Sequence, residues 1–556
     1  MSKKLLKRLL AMALSVTMVA GSLTACGNTN EGKTTSDQVS SEEKETEELE
    51  EITITMAANT ITPDSEATSI HKYIKEKFKI NLEITEYNSD AWDTQFTLMM
   101  AGDELPDIVT NLGMQYDEFN EYASEGYFLN WLDYVDEMPN FKEILEENPD
   151  YKQVMTATDG NIYGLSQLTT IRQNAPARIF IDERWLENVD MEVPTNVDEL
   201  YDVLVAFKNQ DANGNGDTTD EVPMYLNASY NGKNNTFTLL ANAFGILSDN
   251  ITGEMCVSED GTIYAPWNTE NWKALLSYAH RLYEEELIDT NFVVRTSDEF
   301  KQMVSEERVG LFGANAPFAQ GGKDISYDAN FKYLGSLTSE YNDTPTLVTT
   351  SGASASVVLA VNSESEHIDR IVEFVDWLYT TEGALTCGLG VEGENWEWSY
   401  TDFSDKWAMV DQKVPEGFAN VNEYKNNACI IQGAFSLVSP AEGRQYKIID
   451  EVTDDVLYNN EDLVKTYGWA VLVEQGLRET EATYTPLSTL SYTKEEARER
   501  ATLVTDIKSY VEQMTTQFIT GEADLESDWD TYVKTLENMK LSRWVEIDQT
   551  AYDRVK

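Results

Sequence analysis

Basic residues, histidine, cysteine and long apolar runs are scarce in this chain, and each scarcity removes a class of function. Over 556 residues, 41 lysines and arginines face 98 aspartates and glutamates, a formal net charge of −57. A surface this acidic repels phosphate backbones, so no nucleic-acid partner is expected. The three histidines, His71, His280 and His367, stand far apart and none belongs to an HExxH pattern. Neither GxSxG nor a P-loop occurs, so the common hydrolase and nucleotide-binding signatures are missing. With so many acids, no single carboxylate pair points to glycoside hydrolysis. Of four cysteines, Cys256, Cys387 and Cys429 are widely spaced and form no CxxC, which supports neither a disulfide framework nor a structural zinc site. They read as buried thiols. Beyond the first 25 residues no run is long and apolar enough to cross a bilayer.

What is present starts with a leader. Lys3, Lys4, Lys7 and Arg8 precede an apolar run from Leu9 to Ala20, the pattern of a secretory signal over residues 1–25. It ends in Leu23-Thr24-Ala25-Cys26-Gly27, which resembles the bacterial lipobox. That resemblance implies a lipid-modified Cys26 (palmitate among its acyl chains) on the outer face of the cell membrane, anchored stably because several chains act together. Residues 26–51 follow, rich in Ser, Thr and Glu, with Glu42, Glu43, Glu45, Glu47, Glu48, Glu50 and Glu51. Such a segment cannot bury enough surface to fold, and its like charges extend it; it reads as an acidic flexible tether.

Folding-competent sequence begins at Ile52. Ile52–Met56 alternates as a strand, and Ile70, Tyr73, Ile74 and Phe78 recur at helical spacing. Ile80–Tyr87 alternates again, Ser89–Gly102 is amphipathic, and Leu105–Val109 predicts a third strand. This β-α-β-α-β order argues for a parallel α/β sheet, whose ligands sit beyond the carboxyl ends of the strands. Asn59 and Asn111 occupy such ends. Thr195 predicts a helix start, and so does Ser527. Thr493 with Glu496 predicts a capping box. Trp272, Trp377 and Trp529 fall in helical phase and predict core positions.

The run Leu98-Met99-Met100-Ala101-Gly102-Asp103-Glu104-Leu105-Pro106-Asp107-Ile108-Val109 resembles bacterial extracellular solute-binding proteins of family 1, the sugar-binding receptor lipoproteins of ABC importers. The likeness continues at Asp159–Leu165, Ile181–Leu186, Val193–Leu200 and Ala551–Arg554. It implies a two-lobed, periplasmic-binding-protein-like α/β fold with a hinge and a central ligand cleft. One lobe would take residues 52–170 and 346–392. The other would take 171–345 and 393–556, with a helical C-terminal extension. The implied function is capture of an oligosaccharide at the cell surface and delivery to permease subunits, by a monomer without catalytic activity. Position within the resemblance nominates Asn59, Asn111, Gln115, Asn315 and Phe318 as ligand contacts. Gly388–Gly393 spells GxGxxG, but a helical stretch precedes it, so the dinucleotide context is missing. It resembles instead the family's Gly-x-Glu-Gly-x-x-Trp segment. Trp396 and Trp398 lie beside these glycines, outside helical phasing, as the stacking candidates for a pyranose ring.

One loop carries metal chemistry. Asp211, Asn213, Asn215 and Asp217 place oxygen donors at alternate positions, with Gly216 at the sharp turn, matching the first half of an EF-hand-type calcium loop. Asp220 and Glu221 would close it, although the usual closing position holds Val222. The resembled family has such a loop with a closing Asp-Glu pair, and calcium here would be structural. The plain alternative is a solvated Asn/Gly turn. Two other functions stay open at this point: a surface-anchored glycan-active enzyme, and a receptor for peptides or other non-sugar solutes on the same scaffold.

Overall fold

A computed structural model describes residues 49–555 apart from 61, 103, 124, 170–175, 259, 350–351, 401–407, 412–413, 419–420, 439–451, 481, 485–489 and 491. The signal, the lipobox with Cys26 and most of the tether lie outside the described residues. In chain order the strands begin with β1 (Ile52–Asn59), β2 (Ile80–Tyr87), β3 (Ile108–Thr110), β4 (Gly164–Leu168), β5 (Ile179–Asp182) and β6 (Val222–Met224). A short β7 (Cys256–Val257) and β8 (Ile263–Tyr264) follow, then β9 (Val309–Gly313), β10 (Phe331–Tyr333), β11 (Thr346–Val348) and β12 (Ala353–Val361).

Two separate sheets organise two cores. The first has the order β2-β1-β3-β12-β4. β1 pairs in parallel with β2 from Ile52↔Ile80 to Asn59↔Tyr87, and with β3 on its other side. The helices Ser69–Phe78 and Ser89–Gly102 are the crossovers that parallel pairing requires. The first helix is capped by the Thr68 hydroxyl and ends at Lys79, whose left-handed backbone turns the chain into β2. The third strand starts three residues later than the periodicity predicts. Pro106 has no N–H to give a ladder, and the Asp107 carboxylate bends back to accept from Thr55 N (2.9 Å) and Oγ1 (2.7 Å). Ile54, Ile74, Leu82, Trp92, Phe96, Val109 and Leu359 fill this core.

The second sheet has the order β10-β5-β9-β6, with only β6 and β9 parallel. Its larger core joins Leu200, Phe207, Phe237, Trp272 and Leu276 to Ile507, Val511, Phe518, Tyr532 and Trp544 from the C-terminal helices Lys494–Thr520, Leu525–Asn538 and Leu541–Val555. A further cluster, including Phe180, Phe312, Phe331, Tyr467 and Trp469, covers the sheet's other side. Trp272, Trp377 and Trp529 are buried as their phasing predicts, as are the free thiols of Cys256, Cys387 and Cys429. The Thr493–Glu496 capping box is formed. Two helix starts differ from expectation. Asn196, not Thr195, caps the helix Val197–Asn209, while Thr195 is held by the Glu199 carboxylate. Asp524, not Ser527, caps the next-to-last helix, because a carboxylate also suits the positive end of the helix dipole.

The chain passes between the cores three times: after Leu168, after Val348 and after Val438. The sequence reading placed everything from residue 393 onward in the second lobe. Ile431, Ala434, Phe435 and Leu437 instead pack in the first core. Among the described residues, no helix is long and apolar enough to cross a membrane.

The C-terminal helices are fixed to the second core by a buried polar knot. Asp548 accepts from Arg500 Nε (2.8 Å), Trp544 Nε1 (2.8 Å) and Tyr492 OH (3.0 Å). Glu254 sits nearby, and burial first, then the charge of Asp249, pushes its carboxyl up to about 7. Its unfolded value lies near 4.5, so its contribution is fully present below that pH and is lost as pH rises through 7. Glu254→Gln, which holds the neutral form, should therefore gain on wild type as pH rises from 5 to 8, by about 2–3 kcal/mol. Urea unfolding at the two pH values measures this; parallel pH profiles for the two proteins would contradict it.

Candidate ligand-binding site

On the first lobe, the carboxyl ends of β1 and β3 meet the start of β12. Asn111 takes a left-handed backbone (φ 52°), which asparagine tolerates better than other side-chain-bearing residues. Its Nδ2 donates to the Asn59 carbonyl oxygen at 2.6 Å. The Asn59 side-chain carbonyl oxygen is buried and receives no hydrogen bond. Gln115 is exposed and its Nε2 donates to Ser356 Oγ at 2.8 Å. The structure thus brings Asn59, Asn111 and Gln115 to one sheet edge. A segment that the sequence reading did not single out joins them. Residues 431–437 lie across the strand ends: Gln432 N donates to Thr62 Oγ1 at 3.3 Å, and the Thr110 hydroxyl donates to the Ala434 carbonyl. Gly433 has φ +75°, and a Cβ there would stand 3.0 Å from Asn111 Nδ2, so glycine is required.

On the second lobe, Arg178 precedes β5 and lies beside the end of β9, where Ala314 N donates to its carbonyl at 3.1 Å. Asn315 is exposed; its backbone oxygen accepts from Arg178 Nη1 (2.9 Å) and its Oδ1 from Asn234 Nδ2 (2.8 Å). The Arg178 guanidinium rests 3.9 Å from the centre of the Trp469 ring, a cation–π contact. Asp328 ties the neighbourhood together, accepting from Phe318 N and Trp469 N, each at 2.7 Å. Burial pushes the Asp328 carboxyl up to about 7 against these two hydrogen bonds. Lys233, whose carbonyl accepts from Arg178 N at 2.7 Å, is pushed down to about 8 by burial and then by the Arg178 charge. Arg178 and Trp469 were not expected from sequence: they lie 291 residues apart, and nothing local signals the pairing.

The three aromatic candidates have different surroundings. Trp396 is 4% exposed, packed with Leu385 and Leu389, and its Nε1 donates to the Gly390 carbonyl at 2.8 Å. It wedges the loop rather than offering a face to a sugar. Phe318 is half-buried and packs against the cluster around Phe312 and Trp469. Trp398 belongs to the hairpin Glu397–Tyr400 with Ala408–Asp411, and its side chain lies outside the described set.

The Asp211–Glu221 loop folds on its own side chains. Asn213 Oδ1 accepts from Asn215 N, Asn215 Oδ1 from Asp217 N, and Asp217 Oδ1 from Thr219 N and Oγ1. Asp220 accepts from Asn213 Nδ2 and Asn215 Nδ2, with Arg308 Nε 3.6 Å away. Asp211 Oδ1 and both carboxylate oxygens of Glu221 are buried without a donor. Burial, then the charges of Asp220 and Asp211, raises the Glu221 carboxyl. Of the six expected ligands, only Asp211 and Glu221 therefore hold unsatisfied oxygens, while Asp217 and Asp220 are engaged elsewhere. Among the described residues, no three His, Cys, Asp or Glu side chains gather as a metal-holding group. Amide and backbone oxygens are also normal donors to hard cations. Three orphaned buried carboxylate oxygens in one loop fit an oxygen-ligated cation.

Two α/β lobes linked by three crossings, with polar residues at the strand ends, define a solute-binding fold with a hinge and a central cleft. The model of the bacterial extracellular solute-binding protein family matches residues 63–385, and the chain belongs to that family. The fructooligosaccharide ABC transporter substrate-binding protein FusA of Streptococcus pneumoniae is 24% identical over 98% of this chain and 97% of its own length. A solved structure of FusA with kestose aligns over 91% of this chain and 99% of its own, with 21% identity and a TM-score of 0.66. An EF-hand mutant of FusA with fructo-nystose gives 0.65 at 20% identity, over 91% and 99%. A solute-binding protein from Bifidobacterium longum infantis, described as binding human milk oligosaccharides (HMO), gives 0.68 at 19% identity, over 90% and 99%.

The burial of Trp396 has a direct consequence. Trp396→Ala should lower unfolding stability by about 3 kcal/mol through the cavity it leaves. Oligosaccharide affinity of the folded variant should stay unchanged. Calorimetric unfolding and titration separate the two; lost affinity at unchanged stability would restore the stacking role.

Proposed function

We propose that this chain is the substrate-binding lipoprotein of an ABC importer, capturing an oligosaccharide outside the cell and passing it to permease subunits. The observation that carries this reading is the amide-rich edge at Asn59, Asn111 and Gln115, set at the carboxyl ends of the parallel strands β1 and β3 within a mixed sheet. Amides both donate and accept, which suits hydroxyl-rich ligands. Similarity to FusA along nearly the full length of both chains supports the same reading. One lobe would comprise residues 52–168 and 353–438, the other 177–348 and 452–555, closing on ligand by hinge motion. Closure would give the permease a liganded shape to recognise, the ligand acting by shifting a conformational population. The protein would act as a monomer and catalyse nothing. Cys26 would carry the lipid anchor and residues 26–51 would supply slack.

Calcium would be structural in this reading. Asp211 and Glu221 would hold it, helped by the amide oxygens of Asn213 and Asn215 after their side chains turn over. The ion would supply the positive charge that three buried carboxylate oxygens otherwise lack.

Thermal shift with kestose and nystose tests the receptor reading. A ligand at a hundred times its Kd should stabilise the fold by about 2.7 kcal/mol. Release of reducing ends from those sugars would favour an enzyme, and stabilisation by peptides alone would favour the non-sugar receptor. For the loop, EDTA should lower the melting temperature and calcium restore it. Glu221→Gln should abolish that calcium response. A melting temperature indifferent to EDTA would sink the metal assignment.

A further inference from the structure

Resting on the oligosaccharide-receptor reading above, we propose that Gln432 is a ligand-contact residue that sets specificity on the first lobe, its side-chain amide reading a neutral sugar hydroxyl pair. The segment that carries it is built as a fixed platform. Ile431, Ala434, Phe435 and Leu437 sink into the first core, so four of seven residues are anchors. Between the anchors, the backbone is stitched to the sheet. Gln432 N–H bonds Thr62 Oγ1, the Thr110 hydroxyl bonds the Ala434 carbonyl, and the Leu437 carbonyl accepts from Leu168 N at 2.8 Å. Gly433 lies against the Asn111 amide, the same amide that holds the Asn59 carbonyl. Within this buried platform Gln432 alone is exposed. Its structural duty is discharged by its backbone N–H, which bonds Thr62 Oγ1.

The surroundings decide the ligand chemistry. The seat is bordered by the uncharged Thr62, Asn59 and Asn111, and by Glu86, whose carboxylate accepts from Thr62 N at 3.0 Å. None of these groups is a cation that would answer an anionic ligand, and a glutamine amide presents one donor group and one acceptor a short distance apart. Vicinal hydroxyls match that donor–acceptor pair, whereas a ligand carboxylate would face the Glu86 carboxylate. The ligand class is therefore a neutral oligosaccharide bearing adjacent free hydroxyls.

The test uses the full chain with kestose and nystose as probes, measured by titration calorimetry alongside thermal unfolding. Gln432→Ala keeps the backbone donor, so its melting temperature should match wild type while the Kd rises about tenfold, the loss of a two-point hydrogen-bonded contact. Gln432→Trp, which covers the seat with a bulky exposed side chain, should abolish binding without unfolding the protein. Wild-type affinity within twofold in the alanine variant would overturn the assignment of Gln432 while leaving the receptor reading intact. Wild type binding an acidic trigalacturonate but neither neutral probe would overturn the ligand class alone. Wild type binding none of the three sugars would overturn the receptor reading and this inference together.

Discussion

The hydrogen bond from the Asn111 side chain to the Asn59 carbonyl is the contact on which the first-lobe site depends. In a parallel sheet the carboxyl end of each strand exposes peptide groups with no ladder partner. Something must satisfy them without covering them, or the edge is lost to ligand. Asn111 does this by adopting a left-handed backbone, which turns its amide back toward β1. The same conformation leaves room above the amide, and Gly433 fills that room with backbone alone. The edge, the platform and the free side-chain oxygen of Asn59 thus follow from one residue's conformation. A β-branched residue at 111 would meet a steric penalty in that backbone region and would offer no amide.

The second lobe solves a different problem. Its sheet is mostly antiparallel, so strand ends of both polarities meet at the cleft side, and β5 begins where β9 stops. Gly313 lies so close to the Asn234 carbonyl (2.2 Å from a Cβ placed there) that no side chain fits. Arg178 crosses this junction, capping Asn315 and lying on Trp469. Trp469 is in turn held by Asp328, which also holds the start of the helix at Phe318. The stack is tied to the backbone at several points, because the Arg178 guanidinium bonds the Asn315 carbonyl and the Asp328 carboxylate bonds the Phe318 and Trp469 N–H groups.

Periodicity made most of the fold readable. Ile70, Ile74 and Phe78 mark a buried helix face, and the alternation of β1 and β2 marks a parallel pair, because both signals are local. The strand-end positions of Asn59 and Asn111 were readable for the same reason, since topology alone sets them. What could not be read depended on distant partners. Trp396 stands outside helical phase, but lack of phase says nothing of burial, which Leu385, Leu389 and the Gly390 carbonyl decide. Gln432 sits in a stretch with no period, and only its bond to Thr62 and the packing of its neighbour Gly433 on Asn111 give it a place. The third crossing was misplaced because Phe435 and Leu437 look like any apolar pair until the sheet that receives them is known. The caps at Asn196 and Asp524 were missed by one and three residues, since several neighbouring side chains can each accept from the same helix end.

The acidity of the chain fits a neutral ligand, but net charge is not what decides it. At physiological ionic strength a field is screened within about 8 Å, so groups at the cleft outweigh the sum over the surface. On the first lobe those groups are amides and hydroxyls, with the Glu86 carboxylate beside Thr62. On the second, Arg178 and Lys233 are positive, yet both are drawn inward. The guanidinium is committed to Trp469 and the Asn315 carbonyl, and burial holds the ammonium well below its usual range. Such cations stiffen a binding surface more readily than they attract an anion to it. The concentrated negative charge lies instead in the Asp211–Glu221 loop, where three buried oxygens lack a counter-charge. The two electrostatic features of this molecule therefore lie in separate places: dipoles at the strand ends of the first lobe, and carboxylate oxygens without a donor in the Asp211–Glu221 loop.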